Sequence, residues 1–292
     1  MPPLLMESPF LCPAGAGAGI EIDFAGRNPE YGGHMVRWLK DMVRRRELVL
    51  ILIERNLKIR YKNSFLGFFW SLLGPLFLIA IYSLFLGLLR IPIHLPTLVT
   101  GIIVWQFLAM CLGDSLHSIV GNANLVTKAA FPRLILPLAM VGANAVNFLL
   151  SFTVLLVYLL FAGAAFGGLW LLPAAFVTQA ALGLGMALLI GSANVFFRDT
   201  EHVLSVTMLA WFFLSPVIYE PDLVVKSFPA WVQVAFFANP MSGILTAYRQ
   251  ALLSPAAVDS RLLLLSFAVA WAVLGLGLAV FRRVEPRFGD EL

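Results

Sequence analysis

Two sets of residues in this 292-residue sequence could do chemistry beside long uncharged stretches. The first is Asp114 with His117, three residues apart in an apolar run, where an ionisable pair can serve a proton relay or a metal. The second is a basic run shortly before the uncharged stretch 65–89, and it contains Arg55, Lys58, Arg60, Tyr61 and Lys62. Guanidinium and ammonium groups pair with phosphate, but they also anchor chain ends at a membrane surface. The residues alone leave both roles of the basic run open.

The position of Asp114 and His117 favours a structural role. Counted from Leu95, Asp114 lies about 27 Å along its apolar stretch, close to the cytosolic end of a spanning helix. A side chain at that depth can extend to the interface or meet Lys128. We therefore expect a structural pair rather than a metal or proton site, and the scarcity of such groups argues against proton-coupled transport.

Sequence motifs of common enzymes do not occur. There is no Gly-x-x-x-x-Gly-Lys-Ser/Thr loop for nucleotide phosphates, and no His-Glu-x-x-His, Gly-x-Ser-x-Gly or Cys-x-x-Cys. Cys12 and Cys111 fit neither a disulfide framework nor a zinc-ligand spacing. We expect a chain that is not an enzyme and binds no cofactor or metal, so that any ATP that drives it is bound by another chain.

The composition requires a lipid environment. Hydrophobic residues make up 60% of the chain, charged residues only 12%, and the mean hydropathy is +0.90. A soluble globule of this length needs more polar side chains to cover its surface. The net charge of +4 does not indicate nucleic acid as a partner, because the basic residues lie in short segments beside apolar stretches.

Six apolar stretches of the sequence are approximately 64–89, 96–120, 138–163, 169–196, 203–219 and 262–281. A helix formed by each of them can cross about 30 Å of hydrocarbon. We expect a tight hairpin after the third, where Gly163 to Gly168 and Pro173 supply the only turn signals. The sequence therefore predicts an all-α membrane protein with six transmembrane helices.

The basic residues set the predicted orientation and the layout of the chain. They precede the first span and return after the sixth as Arg282, Arg283 and Arg287, which places both termini in the cytosol. We expect a disordered tail over 1–30, an amphipathic interface helix with the basic segment over 31–62, and the six-span domain over 63–292. The amphipathic helix suits either a lipid anchor or a docking surface for a cytosolic partner.

The segment between the fifth and sixth spans is too apolar for an ordinary loop. Pro229, Pro240 and Pro255 divide it into pieces that reach about halfway through a bilayer. We predict short re-entrant or interfacial helices, Ala230–Ala238 and Met241–Leu253, on the periplasmic or extracellular side.

Aromatic side chains are frequent near the predicted spans. Packing and interfacial anchoring account for most membrane aromatics, whereas flat rings along a pore would also let sugar rings stack and slide. The candidates for lining a channel are Phe68, Phe69, Trp70, Phe77, Tyr82, Trp211, Phe212 and Tyr219. The sequence does not decide which of them face a pore.

Residues 55–70, followed by Pro75, resemble the permease subunits of type-2 ABC exporters for cell-envelope polysaccharide. Later blocks of that pattern follow in order: Phe131-Pro132-Arg133 with Leu136-Pro137, Asn194-Val195-Phe196-Phe197-Arg198-Asp199, Leu214-Ser215-Pro216-Val217-Ile218-Tyr219, and Asn239-Pro240-Met241 with Tyr248-Arg249. The first block is the most specific, and the Phe-Arg-Asp and Ser-Pro blocks also occur in type-2 exporters of other cargo. The sequence departs from the pattern at Gly74-Pro75, where Asn-Pro is expected.

The resemblance implies a homodimeric, channel-forming permease in the bacterial inner (plasma) membrane, surrounded by membrane lipid. Two copies of a separate ATPase subunit would bind ATP and Mg, and the cargo would be undecaprenyl-diphosphate-linked O-antigen, capsule precursor or teichoic acid. The residues expected to approach the diphosphate head are Arg55, Lys58, Arg60, Tyr61 and Lys62. Those expected to couple to the ATPase are Arg44, Arg45, Lys128, Phe131, Arg133, Arg198 and Asp199. Those expected to form the outer gate are Trp231, Phe236, Phe237, Asn239, Pro240, Tyr248 and Arg249.

Two other functions stay open. The same fold could export a drug, haem or a glycolipid without a long glycan. A membrane-embedded transferase acting on polyprenyl lipids is a different class, and it needs a buried acid or base. Only Asp114 and His117 could supply one.

Overall fold

The computed structural model describes residues 46–62, 69–88, 90, 94–128, 132–253 and 260–292. Every regular element in these ranges is a helix, as predicted. The α-helices are α1 (Arg46–Tyr61), α2 (Phe69–Leu88), α3 (Leu95–Leu116), α4 (Ala123–Lys128), α5 (Ile135–Phe161), α6 (Leu171–Phe196), α7 (Thr200–Leu214), α8 (Pro221–Ser227), α9 (Ala230–Ala238), α10 (Pro240–Leu253), α11 (Ser260–Val284) and α12 (Phe288–Glu291). Short 3₁₀ helices cover Val120–Asn122 and Glu285–Arg287.

Four of these helices are long and apolar enough to cross a membrane: α3, α5, α6 and the stretch Arg261–Glu291 that includes most of α11. Two further apolar stretches are shorter, Leu76–Leu88 within α2 and Thr200–Leu214, which is α7. At 1.5 Å per residue each covers about 20 Å, less than the hydrocarbon thickness. A multi-pass architecture is therefore supported, whereas the first and fifth of the six predicted spans stay predictions.

α3 lies at the centre of the helix packing. Most of its side chains are buried, because it contacts α5, α6 and α10. Among the described helices, the most extensive contact joins α6 and α11. Small residues there let the two backbones approach closely. A Cβ atom built on Gly185 would lie 2.7 Å from the Cα of Leu274, and one on Gly277 would collide with the Gly185 carbonyl. Glycine is thus required at both positions for this packing.

The connection between α5 and α6 covers residues 162–170 and contains the predicted turn. Gly163 has a positive φ of 72°, a conformation that glycine adopts without strain. The backbone N–H of Gly168 donates to the Ala251 carbonyl at 3.2 Å, which ties the connection to α10. Pro173 belongs to the first turn of α6 rather than to the connection, because proline fits the start of a helix.

The helices predicted between the fifth and sixth spans are present. α9 has the predicted bounds, and α10 begins one residue earlier, at Pro240, since proline is suited to the first position of a helix. α8 precedes them and was not predicted. Their re-entrant or interfacial position in the membrane stays a prediction.

Part of the predicted layout falls outside the described residues. This holds for the tail 1–30 and for the amphipathic segment up to residue 45, which includes Arg44 and Arg45. It also holds for Phe68, Phe131 and the side chain of Lys128. Within the predicted segment 31–62, the described part is α1 with Lys62.

Candidate functional site

Side chains on one face of α1 border an open surface depression with a volume of about 770 Å³. Arg55, Lys58 and Lys62 line it because residues three and four apart share a helix face. Tyr61 and Glu54 line it as well. We call it the α1 groove, and it contains four of the five side chains predicted to approach a diphosphate.

The charges of the α1 groove are only partly neutralised. Lys58 contacts Glu54 at 2.5 Å, and both side chains are exposed. Hydrogen bonding to Lys58 and its positive charge lower the pKa of the Glu54 carboxyl. Arg55 donates to Asn122 at 2.8 Å, an uncharged acceptor. The groove therefore has more cationic than anionic groups, as an anion-binding surface requires.

Arg60, the fifth predicted side chain, does not line the α1 groove. Its guanidinium donates to the carboxylate of Asp114 and, at 2.9 Å, to the amide oxygen of Asn144. The Asn144 amide nitrogen donates to the same Asp114 oxygen at 2.7 Å. One carboxylate on α3 thus joins the last turn of α1 to α5.

Tyr61 adds a second bond between α1 and α5. Its hydroxyl donates to the amide oxygen of Asn147 at 2.8 Å, and Asn147 lies one turn beyond Asn144 on α5. We call the cluster of Arg60, Tyr61, Asp114, Asn144 and Asn147 the polar joint. Our sequence reasoning missed both asparagines. The available signal was a pair of amides three residues apart in an otherwise apolar span.

The structure gives Asp114 two partners that the sequence reasoning did not name. Its carboxylate accepts from Arg60 and Asn144, because the end of α1 lies against α3 and α5. His117 caps the end of α3 and is exposed. Among the described residues, no group of three His, Cys, Asp or Glu side chains is arranged to hold a metal.

The predicted coupling residues have different environments. The Arg133 guanidinium donates to the backbone carbonyl of Glu285, and its backbone N–H donates to the Glu285 carboxylate at 3.2 Å. Phe288, just beyond, is fully buried, with its ring 6.0 Å from Phe196. Arg198 and Asp199 are exposed before α7. The loop that carries Arg133 is therefore held by the C-terminal segment.

A second polar cluster lies at the other end of α3. Arg249 on α10 is buried, with 7% of its surface exposed. Its guanidinium donates to the backbone carbonyls of Val217 at 2.8 Å, Tyr219 at 2.9 Å and Thr97 at 3.3 Å. We call this arrangement the carbonyl clamp. It fixes α10 to the start of α3 and to the loop 215–219.

Asn239 secures the same loop from the residue before α10. Its amide nitrogen donates to the Ser215 hydroxyl at 2.9 Å, and its amide oxygen accepts from the Trp211 indole at 2.9 Å. The other predicted gate residues include Tyr248, which is fully buried against Phe152, as well as Phe236, Phe237, Pro240 and the exposed Trp231. Among the predicted gate residues, Trp231 on α9 is therefore the exposed one, whereas Phe236, Tyr248 and Arg249 are buried.

The predicted channel aromatics also divide. Tyr82 and Phe212 stack at 5.7 Å, and Trp211 and Phe212 both contact Trp105. Phe69, Trp70 and Phe77 lie exposed on α2, and Tyr219 is half-buried beside Phe236. Three of the candidates thus form an internal cluster between α2, α3 and α7, whereas three lie on the outer face of α2.

Comparison with known proteins identifies the family. A profile described as ABC-2 type transporter matches residues 47–253, from α1 to α10. The O-antigen export system permease protein RfbA of Klebsiella pneumoniae is 27% identical over 251 residues, which cover 84% of this chain and 95% of the relative. The permease of the same name from Myxococcus xanthus is 28% identical over 266 residues, which cover 88% of this chain and the whole relative. This multi-pass membrane protein belongs to the ABC-2 type transporter family, as its sequence pattern predicted.

Proposed function

We propose that the chain is the channel-forming permease subunit of an ATP-driven exporter of undecaprenyl-diphosphate-linked polysaccharide. The observation that carries this proposal is the likeness to O-antigen export permeases over almost their whole length. O-antigen is therefore the first candidate cargo, ahead of capsule precursor and teichoic acid. The exporter would lie in the inner membrane of a bacterium, with both chain termini in the cytosol.

The energy source is proposed to lie on another chain. The sequence has no phosphate-binding loop for ATP, so two copies of a separate ATPase subunit would bind ATP and Mg. A homodimer would form the pathway. The exposed apolar faces of α2 and α7 support this, because a second copy could cover one of them and lipid the other.

The α1 groove is the proposed site for the diphosphate head. Lys58 and Lys62 are exposed there, and Arg55 is close by, so three cations can approach the two phosphates. Tyr61 and Arg60 would serve the site indirectly, by holding α1 against α3 and α5. The positive charge of these side chains would attract the anionic diphosphate head to this surface.

The remaining predicted sets would serve the passage of the glycan. Phe69, Trp70 and Phe77 on the exposed face of α2 offer flat rings on which sugars can stack. α9 and α10 would form the outer gate, with the carbonyl clamp as its fixed base. Coupling would involve the loop that carries Arg133, together with Arg198 and Asp199.

Reconstitution with the candidate ATPase tests the proposal. The permease and ATPase would be co-purified, placed in lipid nanodiscs and assayed for ATP hydrolysis with undecaprenyl-diphosphate glycans, free glycan, haem, drugs and short glycolipids. We expect stimulation by the lipid-linked glycan and not by free glycan. Stimulation by haem, a drug or a short glycolipid alone would indicate another cargo. Chemical conversion of the polyprenyl lipid without ATP would indicate a transferase.

A further inference from the structure

The last two turns of α1 are attached to the other helices mainly by polar contacts. In the first half of α1, Leu52 is buried, and Leu48 and Val49 pack against the same apolar cluster. Ile53 adds a contact, since it lies against Gly142 of α5. Arg55, Arg60 and Tyr61 supply hydrogen bonds to Asn122, Asp114, Asn144 and Asn147. Three of those four acceptors belong to the polar joint.

We propose that the polar joint transmits movement of α1 to α3 and α5 during the export cycle, and that Asp114 is its positioning residue. The inference rests on the proposed function, and Arg44 and Arg45, which are expected to couple to the ATPase, directly precede α1 in the sequence. In this role Asp114 touches neither ATP nor cargo. It fixes the position of α1, which carries the proposed diphosphate groove.

The geometry assigns this role to Asp114 because one oxygen serves two helices. The same carboxylate oxygen accepts from Arg60 on α1 and from Asn144 on α5. Arg60 closes the triangle with its bond to the Asn144 oxygen. Charge-assisted bonds of this kind are shorter and stronger than neutral ones, and the planar guanidinium fixes their direction. Neutralising Asp114 therefore weakens two of the three bonds at once.

Partial exposure makes the joint adjustable. The Arg60 side chain is 24% exposed and that of Asp114 34%, so both can regain water if the pair opens. Opening a fully buried pair would leave two charges without a partner and out of contact with water, which is strongly unfavourable. A fully exposed pair, such as Lys226 with Asp222 on α8 at 78% exposure each, would hold nothing in place. The polar joint lies between these limits, as a contact that transmits force reversibly should.

The test uses the co-purified permease and ATPase. The variants are Asp114→Asn, Arg60→Lys and the charge exchange Arg60→Asp/Asp114→Arg, with Asp222→Asn as the matched control. Basal ATP hydrolysis, hydrolysis stimulated by lipid-linked glycan and glycan moved per ATP would be measured for each. We expect Asp114→Asn to lower the ratio of stimulated to basal hydrolysis about tenfold, within the usual range of coupling between sites. The glycan concentration for half-maximal stimulation should change less than this ratio, because Lys58 and Lys62 of the α1 groove are unchanged.

Rescue separates a transmitting role from a merely structural one. The charge exchange should restore most of the ratio of stimulated to basal hydrolysis. Arg60→Lys should retain part of this ratio, because Lys keeps the positive charge but lacks the planar set of donors of a guanidinium. Asp222→Asn should behave as the unmodified protein. An unchanged ratio in Asp114→Asn would overturn the proposal. So would a loss in assembled complexes that the charge exchange does not restore.

A distance measurement keeps the proposal testable if the variants do not assemble with the ATPase. Spin labels at the exposed positions Glu54 and His117, in a background without Cys12 and Cys111, report the distance between α1 and the end of α3. We expect a narrow distribution in the unmodified permease and a broad one in Asp114→Asn. Equal distributions would refute the joint. If the unmodified complex shows no glycan response, the proposed function fails, while this measurement still decides the joint.

Discussion

The two ends of α3 are each bound by an arginine from a short helix, but through different partners. At one end Arg60 pairs with the Asp114 carboxylate and remains partly exposed. At the other, about 25 Å away along the helix, buried Arg249 donates to three backbone carbonyls. A carboxylate can be neutralised by a proton, whereas backbone carbonyls carry no charge that can be removed. The polar joint is thus suited to movement and the carbonyl clamp to permanence.

The clamp also solves a local problem of the backbone. α7 ends at Leu214, and the loop 215–219 leaves carbonyls that no helix satisfies. Buried carbonyls without partners are costly, and Arg249 supplies donors to two of them and to the start of α3. We therefore expect changes at the clamp to affect folding, and changes at the joint to affect coupling first.

Removal of Arg249 should give the largest effect. Arg249→Met keeps much of the apolar stem but leaves three carbonyls without their donor, which should destabilise the fold by about 3 kcal/mol. Thermal unfolding of the purified permease in detergent would measure it. Arg198→Met, at an exposed arginine, is the control and should unfold as the unmodified protein does. Equal midpoints for both variants would contradict the difference between the two ends.

Crowding the clamp should have the next largest effect. A methyl group at Gly101 would collide with the Val217 carbonyl and lie 2.8 Å from the Arg249 guanidinium. We expect Gly101→Ala to lower stability by about 2 kcal/mol, since well-packed sites accept little extra volume. Gly113→Ala on the same helix meets nothing within 4 Å and should be neutral or slightly stabilising. If both variants unfold together, the clamp is looser than the structure indicates.

Loss of a single hydroxyl group should lower stability by a smaller amount, and by different amounts at the two ends of α3. Tyr61→Phe removes the donor to buried Asn147 and should cost about 1 kcal/mol. Tyr219→Phe removes a more exposed bond to the Phe213 carbonyl and should cost less. Denaturation curves of both variants make the comparison. A larger loss for Tyr219→Phe would show that the polar joint adds little to stability.

The α1 groove should contribute least to folding. Lys58→Gln with Lys62→Gln removes two exposed charges and should leave the unfolding midpoint unchanged. It should raise the lipid-linked glycan concentration for half-maximal ATPase stimulation about thirtyfold, because each of the two lysines near an anionic head contributes about 1 kcal/mol. Lys226→Gln, also exposed, is the control. An unchanged glycan response would leave these lysines with membrane anchoring alone.

The sequence predicted helices far better than contacts. Uncharged runs and prolines located α9 and the start of α10 to within a residue, since both signals act locally. The partner of Asp114 depends on how the end of α1 lies against α3 and α5, which no local pattern records. The same holds for Arg249. Its acceptors are backbone carbonyls, which every residue has, so residue types do not identify them. Motif resemblance supplied the family, but long-range packing decided which predicted residues meet.

Directed movement of the glycan tests the central claim most directly. Proteoliposomes would carry the permease with its ATPase facing outward and undecaprenyl-diphosphate glycan in the outer leaflet, and an added glycosidase would report how much glycan remains accessible. We expect ATP to raise the protected fraction in the unmodified protein and to raise it much less in Asp114→Asn. A protected fraction that does not depend on ATP would contradict export of lipid-linked polysaccharide.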